Sequence, residues 1–405
     1  MPVLLIGTLD TKGAEIGFVR DRLREAGVPA TILDAGALGT PAIPADIPRE
    51  AVFRAAGTTL EEVRSAKDRG KAVALAAEGA AKLAVELHAK GEVSGVLSLG
   101  GSAGTTIGTA AMRALPIGVP KLMVSTLASG QVQPYVGTRD ILMLHSVVDI
   151  CGLNRISRAV LGNAAAAMAG MVLASGGRQP PDSGGVDKPL IAATMFGVTT
   201  PCVEAARKIL EAAGYEVLVF HATGTGGRTM EGLIRDGLIA GVLDITTTEL
   251  ADELAGGILT AGPERLTAAG EKGVPQVISV GALDMVNFGP PETTPPRYQD
   301  RLFYRHNPTV TLMRTTREEM AKLGEELARK ANAATGPTAV LLPLQGVSAI
   351  DAEGKPFWRP EADAALFGAI RTTLRPALLI ERSEHINDPE FAVACAAKLL
   401  ELMRT

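Results

Sequence analysis

Short apolar runs alternate with stretches of helical spacing from one end of this 405-residue chain to the other, and few folds accommodate that alternation. It is the pattern of parallel strands joined by helical crossovers, with helices on both faces of each sheet. Two series are visible. The first places strands at Val3–Ile6, Ala30–Leu33, Gly95–Leu99, Lys121–Val124 and Ile141–Leu144, with a less regular, initially proline-rich stretch over 35–66. The second places them at Leu190–Thr194, Val217–Phe220, Gly241–Ile245, Gln276–Val280, Ala339–Leu342 and Ala377–Ile380. Between the series, residues 175–185 are a cluster of turn formers without apolar periodicity, the best linker in the chain. The expected fold class is α/β: two Rossmann-like subdomains with mainly parallel sheets flanked by helices. The expected division is an N-terminal nucleotide-binding subdomain over 1–177, a linker over 178–186 and a C-terminal subdomain over 187–405. Both halves open with a strand, a hydroxyl-rich turn and a helix ending in Ala-Gly, which reads either as an internal duplication or as the likeness all βαβ units share.

A formal net charge of −4 leaves no basic excess for binding nucleic acid, and aromatic residues at 3% offer few platforms for stacking bases. Cys151, Cys202 and Cys395 lie far apart without a CxxC pair, so neither a zinc site nor a disulfide framework is indicated. No N-terminal segment resembles a signal peptide and no apolar run approaches the roughly 18 residues of a membrane span. A cytoplasmic protein without membrane contact is expected.

Chemistry concentrates where strands hand over to helices. Gly7, Thr8, Asp10, Thr11 and Lys12 follow the first strand, at a place where free N–H groups and the positive end of a helix dipole face outward. The spacing matches neither a P-loop nor Gly-x-Gly-x-x-Gly. Asp10 fits a plain helix cap or a carboxylate facing a phosphate-bridging magnesium ion. Lys12 fits a solvated lysine or one drawn by an anion. Gly100, Gly101, Ser102, Gly104 and Thr105 form the strongest phosphate-like turn, although such glycines also serve turns alone. Thr126, Ser129 and Gly130 follow the next strand, and Asp149–Arg158 adds polar groups before a helix.

In the second half, Thr199, His221, Asp244 and Asp284 follow successive strands, and Gly224, Thr225, Gly226 and Gly227 lie within a second candidate anion nest, Thr223–Gly227. His221, Asp244, Glu249, Asp284 and His306 are candidates for a metal or acid–base site, but their spacings match no ligand code, and no Gly-x-Ser-x-Gly elbow is present.

Taken jointly, Gly7–Lys12, Ser98–Thr106, Asp149–Arg158, His221–Glu231, Asp244–Glu253, Leu341–Ser348 and Pro356–Asp363 resemble the UPF0261 family over essentially the whole chain. That group of bacterial and plant proteins includes the N-terminal region of the tomato mosaic virus resistance protein, described as ATP-binding. The resemblance implies two α/β subdomains, ATP with magnesium, and self-association, a dimer being favoured. Some relatives are fused to a barrel resembling phosphoenolpyruvate mutase, which makes a separate protein carrying such a barrel an expected partner. The expectation is therefore ATP at the strand-end loops of the N-terminal subdomain, near the interdomain cleft. An ATP-dependent enzyme of small-molecule catabolism, with an acidic metabolite at the C-terminal subdomain's edge, is the alternative.

Overall fold

Val3–Gly7 (β1) is buried at all five positions, as suits a central strand covered on both faces. Its side chains alternate between two cores: Val3 and Leu5 face one, Leu4 and Ile6 the other. The computed structural model of the chain describes residues 1–175 and 188–404, so the stretch read as a linker, 178–186, lies outside the described residues. The chain divides into two units, Met1–Gly185 and Val186–Thr405.

In the first unit β1 is followed by α1 (Leu9–Glu25), β2 (Ala30–Asp34), α2 (Arg49–Ala55), α3 (Leu60–Ala66), α4 (Arg69–Ala89) and β3 (Gly95–Gly100). Then come α5 (Ser102–Arg113), β4 (Lys121–Ser125), α6 (Gln133–Val136), β5 (Leu142–His145) and α7 (Arg155–Ser175). The five strands pair in parallel in the order β2-β1-β3-β4-β5. Helices α1 and α7 cover one face through Ile16, Val19, Leu161 and Met168. Helices α2, α4 and α5 cover the other through Val52, Phe53, Ala76 and Ile107. By length and composition α7 is apolar enough to cross a bilayer, which corrects the expectation that no run approaches that length. The reason is its place in this core: Leu161, Ala164, Ala165, Met168, Ala169 and Val172 recur at helical spacing on its buried side.

The second unit runs β6 (Leu190–Met195), α8 (Thr200–Ala212), β7 (Glu216–His221), α9 (Thr225–Arg235), β8 (Gly241–Thr246), α10 (Glu249–Ala255), α11 (Ala268–Lys272) and β9 (Gln276–Gly281). It continues with β10 (Met285–Phe288), β11 (Phe303–Asn307), β12 (Val310–Arg314), α12 (Arg317–Asn332), β13 (Thr338–Pro343), α13 (Pro360–Thr373), β14 (Leu379–Arg382) and α14 (Pro389–Leu402). Six strands make a parallel sheet, β14-β13-β9-β8-β6-β7. The remaining three form an antiparallel sheet, β10-β12-β11, that the sequence reading did not foresee. Thr316 opens α12 with a capping box, exchanging bonds with Glu319. Both parallel sheets are thus α/β layers, and each leaves a row of loops at the carboxyl ends of its strands.

Candidate functional site

In the first sheet the strand order turns back between β1 and β3, and open α/β sheets take ligands outside the carboxyl ends of the strands at such a switch. Three segments meet there. Thr8 precedes α1, and its hydroxyl shares a 2.7 Å hydrogen bond with that of Thr11. Buried Asp34, at the end of β2, accepts from the N–H groups of Leu9 at 3.0 Å and Gly36 at 2.9 Å and from Arg49 Nε at 2.7 Å. Asp10 Oδ2 accepts from the N–H groups of Leu38 and Gly39, at 3.2 and 3.0 Å. Arg64 of α3 donates to the carbonyls of Ala37 and Leu38, at 2.7 and 3.0 Å. The turn over 36–39 is therefore fastened from three sides.

These ties leave a cavity of about 610 Å³, within the range of small-molecule sites. Thr8 and Thr11, whose hydroxyls bond each other, are among its lining residues. Ala72, Val73 and Ala76 of α4 and Ala103 and Ile107 of α5 give it an apolar wall, and Arg64, Lys67 and Arg69 give it a basic one. No side chain caps α5, whose N-cap is Gly101, so the free N–H groups of its first turn lie next to the Ala103 wall.

Of the residues singled out in sequence, Thr8, Asp10 and Thr11 line this cavity. Gly7, Lys12, Gly100, Gly101, Ser102, Gly104, Thr105, Thr126, Ser129 and Gly130 are not among its lining residues. Lys12 interrupts the helical geometry of α1 (φ −128°, ψ 17°), and its ammonium donates to the carbonyl of Ile150. A Cβ on Gly100 would stand 2.9 Å from the Cα of Gly104, so this pair of glycines lets strand end and helix touch. Thr105 is buried, donating to the Gly101 carbonyl at 2.8 Å and sharing a 2.6 Å bond with the Ser125 hydroxyl. Thr126 stands beside Gly101, while Gly130 closes a turn onto the Leu127 carbonyl at 3.1 Å and Ser129 is exposed.

Asp10 engages only one of its two carboxylate oxygens. Its Oδ2 holds the 36–39 turn and faces Arg49 Nη1 at 3.9 Å, and no group of three or more acidic, histidine or cysteine side chains placed to hold a metal exists among the described residues. The cavity's other carboxylate, Asp68, caps α4 through the Lys71 N–H at 2.9 Å. The cavity's volume and its basic wall are compatible with a nucleotide-sized anion.

The second unit uses its polar residues on itself. The nest at Thr223–Gly227 does hold an anion, but the anion is Glu249: its Oε1 accepts from Gly224 N–H at 2.7 Å and Gly227 N–H at 3.1 Å. Gly224 has φ +80°, and a Cβ there would stand 2.5 Å from the Thr260 carbonyl oxygen. A Cβ on Gly226 would strike the His221 carbonyl, and Thr225 is the first residue of α9. Arg265, fully buried, grips Asp244 with two bonds of 2.6 and 2.7 Å, Glu249 at 2.6 Å and Glu231 at 3.4 Å. Burial pulls its pKa down, but the charges of Asp244, Glu249 and Glu231 more than offset this and hold it well above the usual arginine value. Thr199 bonds to the hydroxyl of Thr246 at 2.8 Å, and His221 is exposed at the end of β7. No single centre therefore gathers the candidates.

Asp284 belongs to a different cluster. Ser348 donates to its Oδ2 at 2.8 Å, leaving Oδ1 without a partner, while Asp351 and Asp363 crowd around Arg314, which bonds Asp363 at 2.7 Å. Burial, then the charge of Asp351, pushes Asp284 up to about 8 and Asp363 up to about 7. His385 Nδ1 accepts from the Asn387 N–H, so the neutral ring carries its proton on Nε2, facing the Ser348 carbonyl at 2.9 Å. Sequence reading missed Arg64, Lys67, Arg69, Arg265 and Arg314. The one available signal was that buried carboxylates need counter-charges, which says nothing of which arginine supplies them.

Residues 1–176 match the model of the "Uncharacterised protein family (UPF0261) N-terminal domain", and residues 188–403 match that of its C-terminal domain. A UPF0261 protein of Clostridium tetani is 50% identical over 403 residues, 99% of this chain and 98% of that one. The ToMV resistance protein Tm-1(GCR237) of Solanum lycopersicum is 43% identical over 424 residues, 99% of this chain, which spans only 55% of the tomato protein. Among solved structures, the Streptomyces sp. SF2575 glycosyltransferase SsfS6, complexed with thymidine diphosphate, is 12% identical. It covers 99% of this chain and 96% of its own at a TM-score of 0.17, a likeness that carries no argument.

Proposed function

The chain belongs to the UPF0261 family, and from that footing we propose that its first unit is a cytosolic ATP-binding module, the nucleotide lying in the cavity at the ends of β1, β2 and β3. One observation carries the reading: a cavity of about 610 Å³ at the sheet's switch point, walled on one side by a helix whose N-terminus no side chain caps. The phosphates would face the first turn of α5 and the hydroxyls of Thr8 and Thr11. The adenosine would lie on the alanines of α4.

Calorimetric titration of the full chain with ATP tests this, together with Ala103→Phe, which fills the cavity from a half-exposed position without touching the strands. The expected result is binding by the parent and a loss of at least about ten-fold in the variant, about 1.4 kcal/mol, with an unchanged melting temperature. Equal affinity in the variant would remove ATP from this cavity, and a parent that ignores ATP would end the reading. Native mass spectrometry of the same samples reads self-association.

A further inference from the structure

Resting on the ATP reading, we infer that Asp10 Oδ1 is the ribose-binding group of this site, accepting a hydrogen bond from a sugar hydroxyl of the bound nucleotide. The Asp10 side chain is only 6% exposed, and its two oxygens are used differently. Oδ2 accepts from the N–H groups of Leu38 and Gly39, whereas Oδ1 has no hydrogen-bond or ion-pair partner among the described residues. An unpaired carboxylate oxygen in so enclosed a place costs free energy until a donor reaches it. The cavity gives a donor that access. Asp10 and Gly36 both line it, and a Cβ on Gly36 would stand 2.9 Å from Oδ1, so the bare glycine keeps the oxygen uncovered. Arg49 Nη2, 3.1 Å from that same point, is sealed from solvent, and Oδ1 is not.

Position decides which part of the ligand supplies the donor. Gly36 lies just past Asp34, the end of β2, and β1 stands between β2 and β3, from whose end α5 starts. Neighbouring strands are about 4.8 Å apart, which separates Oδ1 from the first turn of α5 by about 10 Å. With the phosphates at α5, the sugar is the next part of the nucleotide and the one that reaches the end of β2. A magnesium ion shared by Oδ1 and those phosphates would need the two oxygens within about 4 Å of each other, since its bonds are about 2.1 Å long. Dinucleotide-binding folds hold ribose hydroxyls on an acidic residue that follows the first βα unit. In this chain that residue, Asp34, is spent on the N–H groups of Leu9 and Gly36 and on Arg49. Asp10 brings an unused oxygen to the same place from the first turn of α1.

Calorimetry of the full chain with ATP and with 2′,3′-dideoxy-ATP, in excess magnesium chloride and again in excess EDTA, tests this on the parent without any substitution. ATP should bind at least about ten-fold tighter than the dideoxy compound, the worth of a hydrogen bond to a charged group. Asp10→Asn keeps an oxygen for the Leu38 and Gly39 N–H groups and puts an amide where Oδ1 stands. It should weaken ATP about three- to ten-fold and leave dideoxy-ATP within about two-fold, removing most of the preference for the hydroxylated sugar. Equal affinity of the parent for the two ligands would overturn the inference and leave the ATP reading standing. A loss in Asp10→Asn shared equally by both ligands would also overturn it, and the disappearance of that loss in EDTA would assign Oδ1 to magnesium instead. A parent that binds neither ligand would end the ATP reading and this inference with it.

Discussion

Replacing Arg265 by methionine removes one guanidinium and strands three carboxylates, and the structure says how unequally they suffer. Glu231 keeps the backbone N–H groups of Leu266, Thr267 and Ala268, and Glu249 keeps those of Gly224 and Gly227. Asp244 keeps only the Thr194 hydroxyl at 2.7 Å, having lost two charge-assisted bonds in a site without solvent. Breaking a buried pair by deleting one partner costs about 3–5 kcal/mol. For a unit of this size that is a fall in melting temperature of roughly 6–20 °C.

Calorimetry of the full chain reads the loss, and hydrogen exchange locates it. Protection should drop at Gly224 and Gly227, whose N–H groups depend on Glu249 staying in place. Arg265→Lys keeps the charge but not the planar fork that spans both oxygens of Asp244, so it should recover less than half of the loss. Adding Asp244→Asn to the methionine variant should restore part of it, since the uncompensated charge is then gone. A loss below about 1 kcal/mol, the range of an exposed pair, would refute the view that this network organises the second unit.

Two further outcomes follow. Asp284 is raised to about 8, and Asp363 and Asp252 to about 7, in each case first by burial. Their folded pKa values lie above the roughly 3.9 of an unfolded aspartate, so the stability they contribute is complete below about pH 4 and is lost as pH rises through 7–8. The melting temperature of the second unit should therefore fall between about pH 5 and pH 9, and Asp284→Asn should flatten that slope; a rise over this range would refute the assignment. In the first unit, Lys12→Ala should leave ATP affinity within about two-fold, because its ammonium serves the Ile150 carbonyl and does not line the cavity. A ten-fold loss by titration would return Lys12 to the site.

The parallel sheets were legible because each central strand, such as Val3–Gly7 or Gly241–Thr246, is a short apolar run that ends at a turn and meets a helix. The antiparallel sheet was not, because β10 starts at Met285, one residue beyond Asp284, and its strands interrupt their apolar residues with arginines and asparagines. Site chemistry divides along the same line. Thr8, Asp10 and Thr11 could be read from a strand handing over to a helix, a local event. Arg64, Lys67 and Arg69 could not, since they reach the cavity from the end of α3, its C-cap and the first residue of α4, none of which follows a strand. Lys12 could not be placed either, because its partner is 138 residues away.

The two glycine-rich turns sharpen the distinction. Thr223–Gly227 and Gly100–Thr105 both read as places where backbone N–H groups would welcome an anion, and for the first that was chemically right. Its anion, however, is the chain's own Glu249, 25 residues beyond Gly224, so the nest is filled in the folded protein. At α5 no side chain performs that service, and the nearby carboxylate of Asp10 turns away to Leu38 and Gly39. A local motif thus states what the backbone can hold, and long-range packing decides whether the chain has already supplied it. By that criterion the first turn of α5 is left without an anion from the chain's own side chains, and the nest of the second unit is not.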